Sequence, residues 1–388
     1  MDFAPFMLDD WLDQHLFCQP PIEFDLASST GPGWTFRQLL DLMDAEEQRR
    51  LFDLRLAYAP ATGSDSLREA IAGMEGADPA HVQVVTGGAE ALLLLSALAA
   101  RPGANVVVPF PGFPSFSEIP RGFGLEVRYY QLRPEDEYRV DLDEIRKATD
   151  ARTALLIVNT PHNPTGALLA DEELTSLAEF AAERQVQFLV DQVYHPIYHG
   201  PETATAARLP QATVLGDFSK ALCLPGLRIG WIVDCDARRL EWYRRARSYF
   251  TVSNTPVAEA LAVAALRRRE LIFGHARQVT AANLALCDKF FAEFPDVVAW
   301  VRPRGGMVAF PSLAVGGDTR PFCEAAAARG VLLAPGDCFG MPAHFRIGYG
   351  ASGSRFAKGI ERLAEFIRKD WRRAVALAKA GAGGQRRV

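Results

Sequence analysis

The chain has 388 residues, of which 49 % are hydrophobic and 23 % charged, a composition typical of a folded globular protein and not of a disordered one. Because 42 Lys and Arg residues stand against 47 Asp and Glu residues, the formal net charge is −5, which argues against a basic surface that binds nucleic acid. The length is typical of two domains and is sufficient to bury a large core without disulfides or a structural metal.

The N-terminus and the cysteine spacing predict a cytoplasmic protein. The first residues, MDFAPFMLDDWLDQHL, carry acids where a signal peptide carries basic residues. The longest apolar run, 89–100, is shorter than the roughly 20 residues that cross a bilayer, so we expect no membrane partner. No C-x-x-C pair and no cysteine–histidine cluster occurs, which predicts reduced, buried thiols and no metal site. The six cysteines are Cys18, Cys223, Cys235, Cys287, Cys323 and Cys338.

Short apolar runs alternate with helical patterns between residues 83 and 234. This alternation predicts an α/β domain with a mostly parallel sheet. Several runs lack polar residues at alternate positions, as expected for strands that are buried on both faces. The predicted strands are 82–86, 105–109, 125–131, 153–159, 187–193, 212–217 and 228–233. The chief predicted helices are 88–100, 171–184 and 237–250.

The pattern changes after residue 255 and predicts a second, smaller α+β domain. The Gly-rich tail, 380–388, is expected to fray. The predicted elements are helices over 256–271 and 275–293, strands over 297–302, 306–311 and 344–349, and a long amphipathic helix from Ser354 to about Ala378. The predicted segments are an N-terminal one, 1–44, that joins the small domain, a large domain, 45–278, and a C-terminal small domain, 279–388.

The motif GDFSKALCLPGLRIG, residues 216–230, carries the first candidate chemistry. Lys220 follows an apolar strand in a loop bounded by Gly and Pro, where burial favours a neutral amine. Such an amine can form a Schiff base with a carbonyl compound. Arg228 and the Ser219 hydroxyl could bind a phosphate together. Lys220 alone would more often be an ordinary surface lysine, but the spacing to G-x-R-x-G is more specific.

Two more motifs directly follow predicted strands. In TGGAEALLLL, the residues Gly87, Gly88 and Ala89 open a predicted helix, whose first N–H groups favour a phosphate, although such a turn is common. In LVDQVYHPIY, Asp191 ends a buried strand and needs a cationic partner, which a protonated heterocyclic nitrogen would supply. Tyr194 offers its hydroxyl to the same region. A capping role for Asp191 and a core position for Tyr194 are equally compatible with the sequence.

Two loops add further candidates. Asn163 in NTPHNPTGALL precedes a proline and is therefore expected in an extended or turn conformation, which presents its amide locally. A purely structural turn is the alternative. Phe113 in PFPGFPSF follows a strand and could stack on a flat cofactor ring, or could anchor the loop.

Together and in this order, the motifs resemble the class I and II aminotransferases, fold-type I enzymes that use pyridoxal 5′-phosphate (PLP). The resemblance covers nearly the whole chain and implies a large α/β domain with a mostly parallel sheet and a smaller α+β domain. It implies that Lys220 forms the Schiff base with PLP, that Asp191 contacts the pyridine nitrogen and that Phe113 stacks on the ring. Tyr194 and Asn163 match the partners of the ring 3′-oxygen.

The same resemblance implies a phosphate cup, the site formed by Gly87–Ala89, Ser219 and Arg228. Tyr58, in YAPATGSDSLREAIA, matches a tyrosine that reaches the phosphate of the neighbouring subunit. This match implies a homodimer with shared active sites.

Arg346, in HFRIGYG, matches the arginine that binds the substrate α-carboxylate, with Asn163 as a second substrate contact. Alone, Arg346 would be assigned to a surface ion pair.

The chain departs from the family pattern at three positions. Asp217 stands where serine is frequent and is left out of the phosphate cup, because an acid there would repel phosphate. Gln192 replaces the usual glutamate, and His195 is either a proton carrier or a packing residue.

The resemblance implies an aminotransferase that moves the α-amino group of an L-amino acid to a 2-oxo acid. A narrower resemblance, carried by SSTGPGWTFRQL, FSKALCLPGLRIGW and RPRGGMVAFPS, is to a subgroup of secondary metabolism. That subgroup uses PLP to eliminate water from a hydroxylated arginine and cyclise it. A third interpretation, a non-enzymatic sensor with a DNA-binding extension, finds little room in the about fifty residues before Tyr58.

Overall fold

A computed structural model of the chain describes residues 3–17, 19–351 and 353–372. These residues divide into two units. The first unit consists of the described residues of Met1–Ala4, Thr30–Gln278 and Pro303–Met307. The second consists of those of Pro5–Ser29, Val279–Arg302 and Val308–Val388.

Thirteen α-helices and fourteen strands are present in the described part of the chain. The helices are α1 Met7–Leu16, α2 Phe36–Asp41, α3 Ala45–Phe52, α4 Asp65–Glu75, α5 Gly87–Ala99, α6 Ser115–Gly122, α7 Leu142–Ala148, α8 Asp171–Glu183, α9 Ala237–Phe250, α10 Pro256–Arg267, α11 Arg269–Glu293, α12 Arg320–Ala327 and α13 Gly353–Phe366. The strands are β1 Phe24–Asp25, β2 Val82–Val85, β3 Asn105–Phe110, β4 Glu126–Gln131, β5 Thr153–Asn159, β6 Gln187–Asp191, β7 Ala212–Asp217, β8 Gly230–Val233, β9 Val298–Ala299, β10 Val308–Ala309, β11 Ser312–Leu313, β12 Val331–Leu332, β13 Ala334–Pro335 and β14 Phe345–Gly348.

A seven-stranded sheet in the order β2-β8-β7-β6-β5-β3-β4 forms the centre of the first unit. The pairs β3–β4, β3–β5, β5–β6 and β6–β7 are parallel, and β8 is antiparallel to both of its neighbours. Every residue of β2, β7 and β8 is buried, as the continuous apolar runs predicted. The predicted α/β fold with a mostly parallel sheet is therefore confirmed.

The structure differs from the prediction mainly after residue 255. The second unit contains three small sheets, β1–β12, β10–β14–β13 and β11–β9. The predicted strand 297–302 is reduced to the two residues of β9, and 306–311 to the two of β10. The predicted helical run 256–271 ends at Arg267, and a new helix begins at Arg269. The end of the long amphipathic helix and the tail 380–388 lie outside the described residues.

The cysteine prediction holds for four thiols. Cys223, Cys287, Cys323 and Cys338 are buried and free, whereas Cys235 is free but exposed, so its predicted burial is wrong. It lies just after β8, where the chain turns into α9. The predicted state of Cys18 lies outside the described residues.

Neither a membrane span nor a metal cluster is found in the part of the chain that the structure describes. No helix there is long and apolar enough to cross a membrane. No group of three or more His, Cys, Asp or Glu side chains there could hold a metal ion.

The start of α5 is fixed by close contact between backbone segments. Gly87, the first residue of α5, has a φ of +75°, a backbone conformation that residues other than glycine rarely adopt. A Cβ atom on Gly230, the first residue of β8, would lie 2.8 Å from the Gly87 carbonyl carbon and 3.1 Å from the Gly216 oxygen. Only glycine at position 230 therefore allows β8 to pass beside the N-terminus of α5.

We expect Gly230→Ala to lower the free energy of unfolding by about 1–3 kcal/mol, because the added methyl group meets backbone atoms that cannot move aside. Urea unfolding followed by circular dichroism measures this change. Gly226→Ala is the matched control, since nothing lies within 4 Å of a Cβ atom at that position. Equal stability of the two variants would contradict the assignment of the backbone contact.

Candidate active site

A cavity of about 200 Å³ lies in the first unit at the edge where β5, β6 and β7 end. Nine of the site residues predicted from the sequence line it: Gly88, Ala89, Phe113, Asn163, Asp191, Tyr194, Ser219, Lys220 and Arg228. The structure therefore brings together residues that are up to 140 positions apart in the chain.

Asp191, the last residue of β6, is a buried carboxyl group in this cavity. Its Oδ1 accepts hydrogen bonds from the Val193 N–H at 3.1 Å and from Asn159 Nδ2 at 3.2 Å. The pKa of Asp191 is raised to about 7, mainly by burial and also by the charge of Asp217, while the Val193 N–H, the Lys220 charge and Asn159 oppose the rise. A buried carboxyl group with a raised pKa is stabilised in its ionised form by a neighbouring cation.

Asn159 is a site residue that the sequence reasoning missed. It ends β5, lines the cavity and is paired in register with Asp191. Its Oδ1 accepts the backbone N–H of Asn163 at 2.7 Å, while its Nδ2 donates to Asp191. One amide thus positions two predicted cofactor contacts at once. The only signal in the sequence was a polar residue at the end of an apolar strand.

The N-terminus of α5 and the loop before β8 form the phosphate side of the cavity. A Cβ atom on Gly87 would lie only 2.6 Å from Arg228 Nη2, so the guanidinium lies directly against the start of the helix. Gly88 and Ala89 line the cavity in the first turn of α5, where backbone N–H groups lack partners within the helix. Ser219 and Arg228 complete the ring of donors that a phosphate requires.

Asp217, which the sequence analysis leaves out of the phosphate cup, also lines this cavity. It is the last residue of β7, and its side chain is buried. Its Oδ1 accepts the Ser219 N–H at 2.8 Å, and its Oδ2 lies 3.5 Å from the position of a Cβ atom on Gly88. This backbone hydrogen bond holds the carboxyl group beside the first turn of α5.

Lys220, Tyr194 and Phe113 also line the cavity. Lys220 lies in the turn after β7 and is half-buried, and this turn is tied to the neighbouring loop by the Ala221 N–H, which donates to the Val193 oxygen at 3.2 Å. Tyr194 is buried. Phe113 contacts Phe116 edge to face, with 5.7 Å between the ring centroids.

Several predicted residues lie elsewhere. Tyr58 is 87 % exposed and does not line the cavity of its own chain. Arg346 belongs to the second unit, where it is buried in β14 and its Nη2 donates to the Ala27 oxygen at 2.8 Å. Gln192 accepts the Ala206 N–H at 2.7 Å outside the cavity. The His195 Nδ1 atom is paired with the Tyr198 hydroxyl, which agrees with a packing role.

The raised pKa of Asp191 predicts a pH-dependent stability of the chain without cofactor. Between the ordinary value of 3.8 and about 7, the folded chain holds a proton that the unfolded chain has lost. The free energy of unfolding therefore falls as the pH rises through this window, by at most about 4 kcal/mol. We expect Asp191→Asn to abolish this part of the decline in urea unfolding at pH 5 to 8.

The exposed Glu183→Gln variant is the control and should keep the slope of the original chain. A slope for Asp191→Asn that equals that of the original chain would contradict the assignment of the titration to Asp191.

The cavity fits PLP. The glycines at the start of α5 leave a cradle that side chains would fill, Arg228 supplies the phosphate counter-charge, and Asp191 needs the cation that a protonated pyridine nitrogen provides. Lys220 supplies the amine that reacts with an aldehyde.

Comparisons with known proteins agree with this arrangement. The chain matches the family model described as aminotransferase class I and II over residues 22–367. It is 33 % identical over 363 residues to capreomycidine synthase from Streptomyces vinaceus, with 92 % of each chain covered. This match confirms the narrower resemblance seen in the sequence.

Two solved structures share the fold. A PLP-dependent aminotransferase from Streptococcus suis 89-1591 has a TM-score of 0.89 at 26 % identity, covering 95 % of this chain and 99 % of its own. The PLP-dependent cyclase OrfR has a TM-score of 0.85 at 28 % identity, covering 95 % of this chain and 98 % of its own. The chain therefore belongs to the class I and II aminotransferase family and is an enzyme whose cofactor is pyridoxal 5′-phosphate.

Proposed function

We propose that the enzyme is an aminotransferase that moves the α-amino group of an L-amino acid to a 2-oxo acid. The observation that carries the proposal is the convergence of Lys220, Asp191 and the N-terminus of α5 on one cavity of about 200 Å³. These groups supply an amine, a partner for a ring nitrogen and a phosphate site, which are the three requirements of PLP chemistry at the α-carbon.

PLP, when bound, supplies an electron sink that stabilises the negative charge left after the α-proton is removed. Asp191 keeps a proton on the ring nitrogen, because a buried carboxylate is stable only beside a cation. The two N–H donors on its Oδ1 hold the carboxyl group in one orientation. Asn163 and Tyr194 bind the ring oxygen and Phe113 stacks on the ring.

Lys220 is the proposed proton carrier. Lys220 would hold the cofactor through its amine. When the substrate amine takes its place, the freed Lys220 Nζ would act as the general base that removes the proton from the substrate α-carbon. The turn that holds Lys220 is connected by a backbone hydrogen bond to the loop after β6, which keeps the amine close to Asp191 and Tyr194.

Arg346 is the proposed ligand of the substrate α-carboxylate. Its side chain is buried, and its guanidinium carbon lies 5.1 Å from the centre of the Phe339 ring. The Ala27 oxygen holds Nη2. A planar guanidinium fixed in this way binds a carboxylate through two parallel hydrogen bonds and so sets its orientation.

We propose a homodimer in which Tyr58 contacts the phosphate of the neighbouring chain. Large hydrophobic side chains are exposed in the first unit: Phe52, Leu56, Tyr58, Tyr249 and Phe250. Tyr249 and Phe250 also line an apolar groove between α5 and α9. Exposed apolar surface of this kind marks a protein interface.

The free thiols fit a reducing compartment such as the cytoplasm.

A second candidate is elimination and cyclisation of a hydroxylated, arginine-like amino acid in secondary metabolism. The 33 % identity to capreomycidine synthase over 92 % of both chains favours it. This reaction uses the same residues up to the removal of the α-proton. It differs in what leaves afterwards, because a β-hydroxyl group departs as water and the cofactor keeps its aldehyde oxidation level.

We expect Lys220→Ala to lower turnover by on the order of 10²–10⁴-fold or more, because it removes the base that moves the α-proton. Steady-state product formation measures the loss. The exposed Lys147→Ala variant is the matched control. Partial rescue of Lys220→Ala by added methylamine would separate a lost proton carrier from a misfolded chain. Unreduced turnover of Lys220→Ala would contradict its role in either reaction.

A screen of single L-amino acids in deuterium oxide distinguishes the two reactions. Substrates should exchange the α-proton with solvent in both. Conversion of the cofactor to pyridoxamine phosphate with a matching 2-oxo acid, detected by mass spectrometry, establishes transamination. Loss of water from 3-hydroxyarginine without pyridoxamine phosphate establishes elimination and cyclisation instead. If no α-proton exchanges with any of these substrates, the proposed class of substrate is wrong.

A further inference from the structure

Asp217 places a carboxyl group beside the first turn of α5, where the phosphate cup is proposed. The residue ends β7, and its side chain is only 7 % exposed. The Ser219 N–H holds Oδ1 at 2.8 Å, so the carboxyl group cannot turn away without leaving a backbone donor unsatisfied. Oδ2 lies 3.5 Å from the Cβ position of Gly88 and thus faces the first turn of α5. This turn is the end of the helix that attracts an anion.

The charges around the cup are closely balanced. The titratable groups that line the cavity in the described part of the chain are Asp191, Tyr194, Asp217, Lys220 and Arg228. In the proposed function, Asp191 pairs with the ring nitrogen of the cofactor and Lys220 holds its aldehyde group. Arg228 and the end of α5 are then the positive partners of the phosphate, and Asp217 opposes them. A phosphate monoester with two negative charges would meet a carboxylate at close range, and like charges at that distance do not both remain ionised.

We propose that the enzyme binds the cofactor phosphate with one proton shared between the Asp217 carboxyl group and a phosphate oxygen. The proton comes from solvent, so binding takes up one proton wherever the free phosphate is a dianion. The inference rests on the phosphate cup proposed above. It holds for transamination and for cyclisation alike, because the phosphate takes no part in either reaction.

The pH dependence of binding follows from this proton. The second pKa of a phosphate monoester is about 6, so the free group is a dianion at pH 7 to 9. If the bound state holds one more proton, affinity falls by about tenfold for each pH unit in this range. Asp217→Asn and Asp217→Ser remove the carboxyl group and should remove this dependence. At pH 9 both variants should bind at least about tenfold more tightly than the original enzyme.

The probe is pyridoxamine 5′-phosphate, which carries the phosphate and the ring but no aldehyde for Lys220. Calorimetry in buffers of different ionisation enthalpy counts the protons taken up, and phosphorus NMR of the bound probe reports the ionisation of its phosphate. Inorganic phosphate is the second probe, because it engages the cup without involving Asp191. We expect one proton fewer for Asp217→Asn with both probes.

Asp236→Asn is the matched control, because Asp236 Oδ1 also accepts the N–H two residues later but lies outside the cavity. It should bind both probes as the original enzyme does. A bound phosphate that is a dianion from pH 6 to 9, with unchanged affinity in Asp217→Asn, would overturn the shared proton. Failure of every protein to bind the probe would overturn the cup itself, while turnover by Lys220 would still be measurable. If Asp217→Asn does not fold, Asp217→Ser and the NMR titration of the original enzyme decide the question.

Discussion

The site depends on one constraint, the common edge at which the parallel strands β5, β6 and β7 end. Asn159, Asp191 and Asp217 are the last residues of these three strands. The ladder pairs Asn159 with Asp191 and Asp191 with Leu215, so Asp217 lies two residues further along β7 at the same edge of the sheet. A buried carboxyl group there is costly unless donors and a cation accompany it. The Asn159 amide and the Val193 N–H supply the donors, and the cofactor ring is left to supply the cation.

A buried network fixes the phosphate side in the same way. Arg247 is fully buried, and its Nε lies 3.3 Å from both carboxylate oxygens of Glu90 in the first turn of α5. Its Nη2 donates to Asn254, whose amide in turn donates to the Val85 and Arg228 oxygens. The network thus connects the end of β2, the start of α5 and Arg228. Removal of either charge would leave the other buried and unpaired, which is strongly destabilising.

Periodicity predicted the central sheet because strands buried on both faces leave an unmistakable apolar run. The strands 153–159 and 212–217 have the predicted bounds. The same apolar pattern predicted too long a strand at 306–311. Residues 307–310 are all buried, but only Val308 and Ala309 pair with β14. An apolar run reports burial, and pairing also requires a neighbouring strand in register.

The site residues divide along a similar line. Those with a distinctive local motif, such as Lys220 and Arg228, could be found from spacing and from the family resemblance. Asn159 could not, because its role depends on its register with Asp191, 32 residues later in the chain. The position of Asp217 could not be predicted either, because it depends on the Ser219 N–H, a local partner that only the three-dimensional turn reveals.

The two acids of the cavity use the same chemistry in opposite directions. Asp191 has a pKa raised to about 7, chiefly by burial, so in the proposed function it would be stabilised by a positive ring nitrogen. Asp217 faces the N-terminus of α5, which attracts negative charge, and in the proposal above it would limit the negative charge that a phosphate brings there. The two acids end adjacent strands at one sheet edge, so their proposed effects fall on different ends of one cofactor.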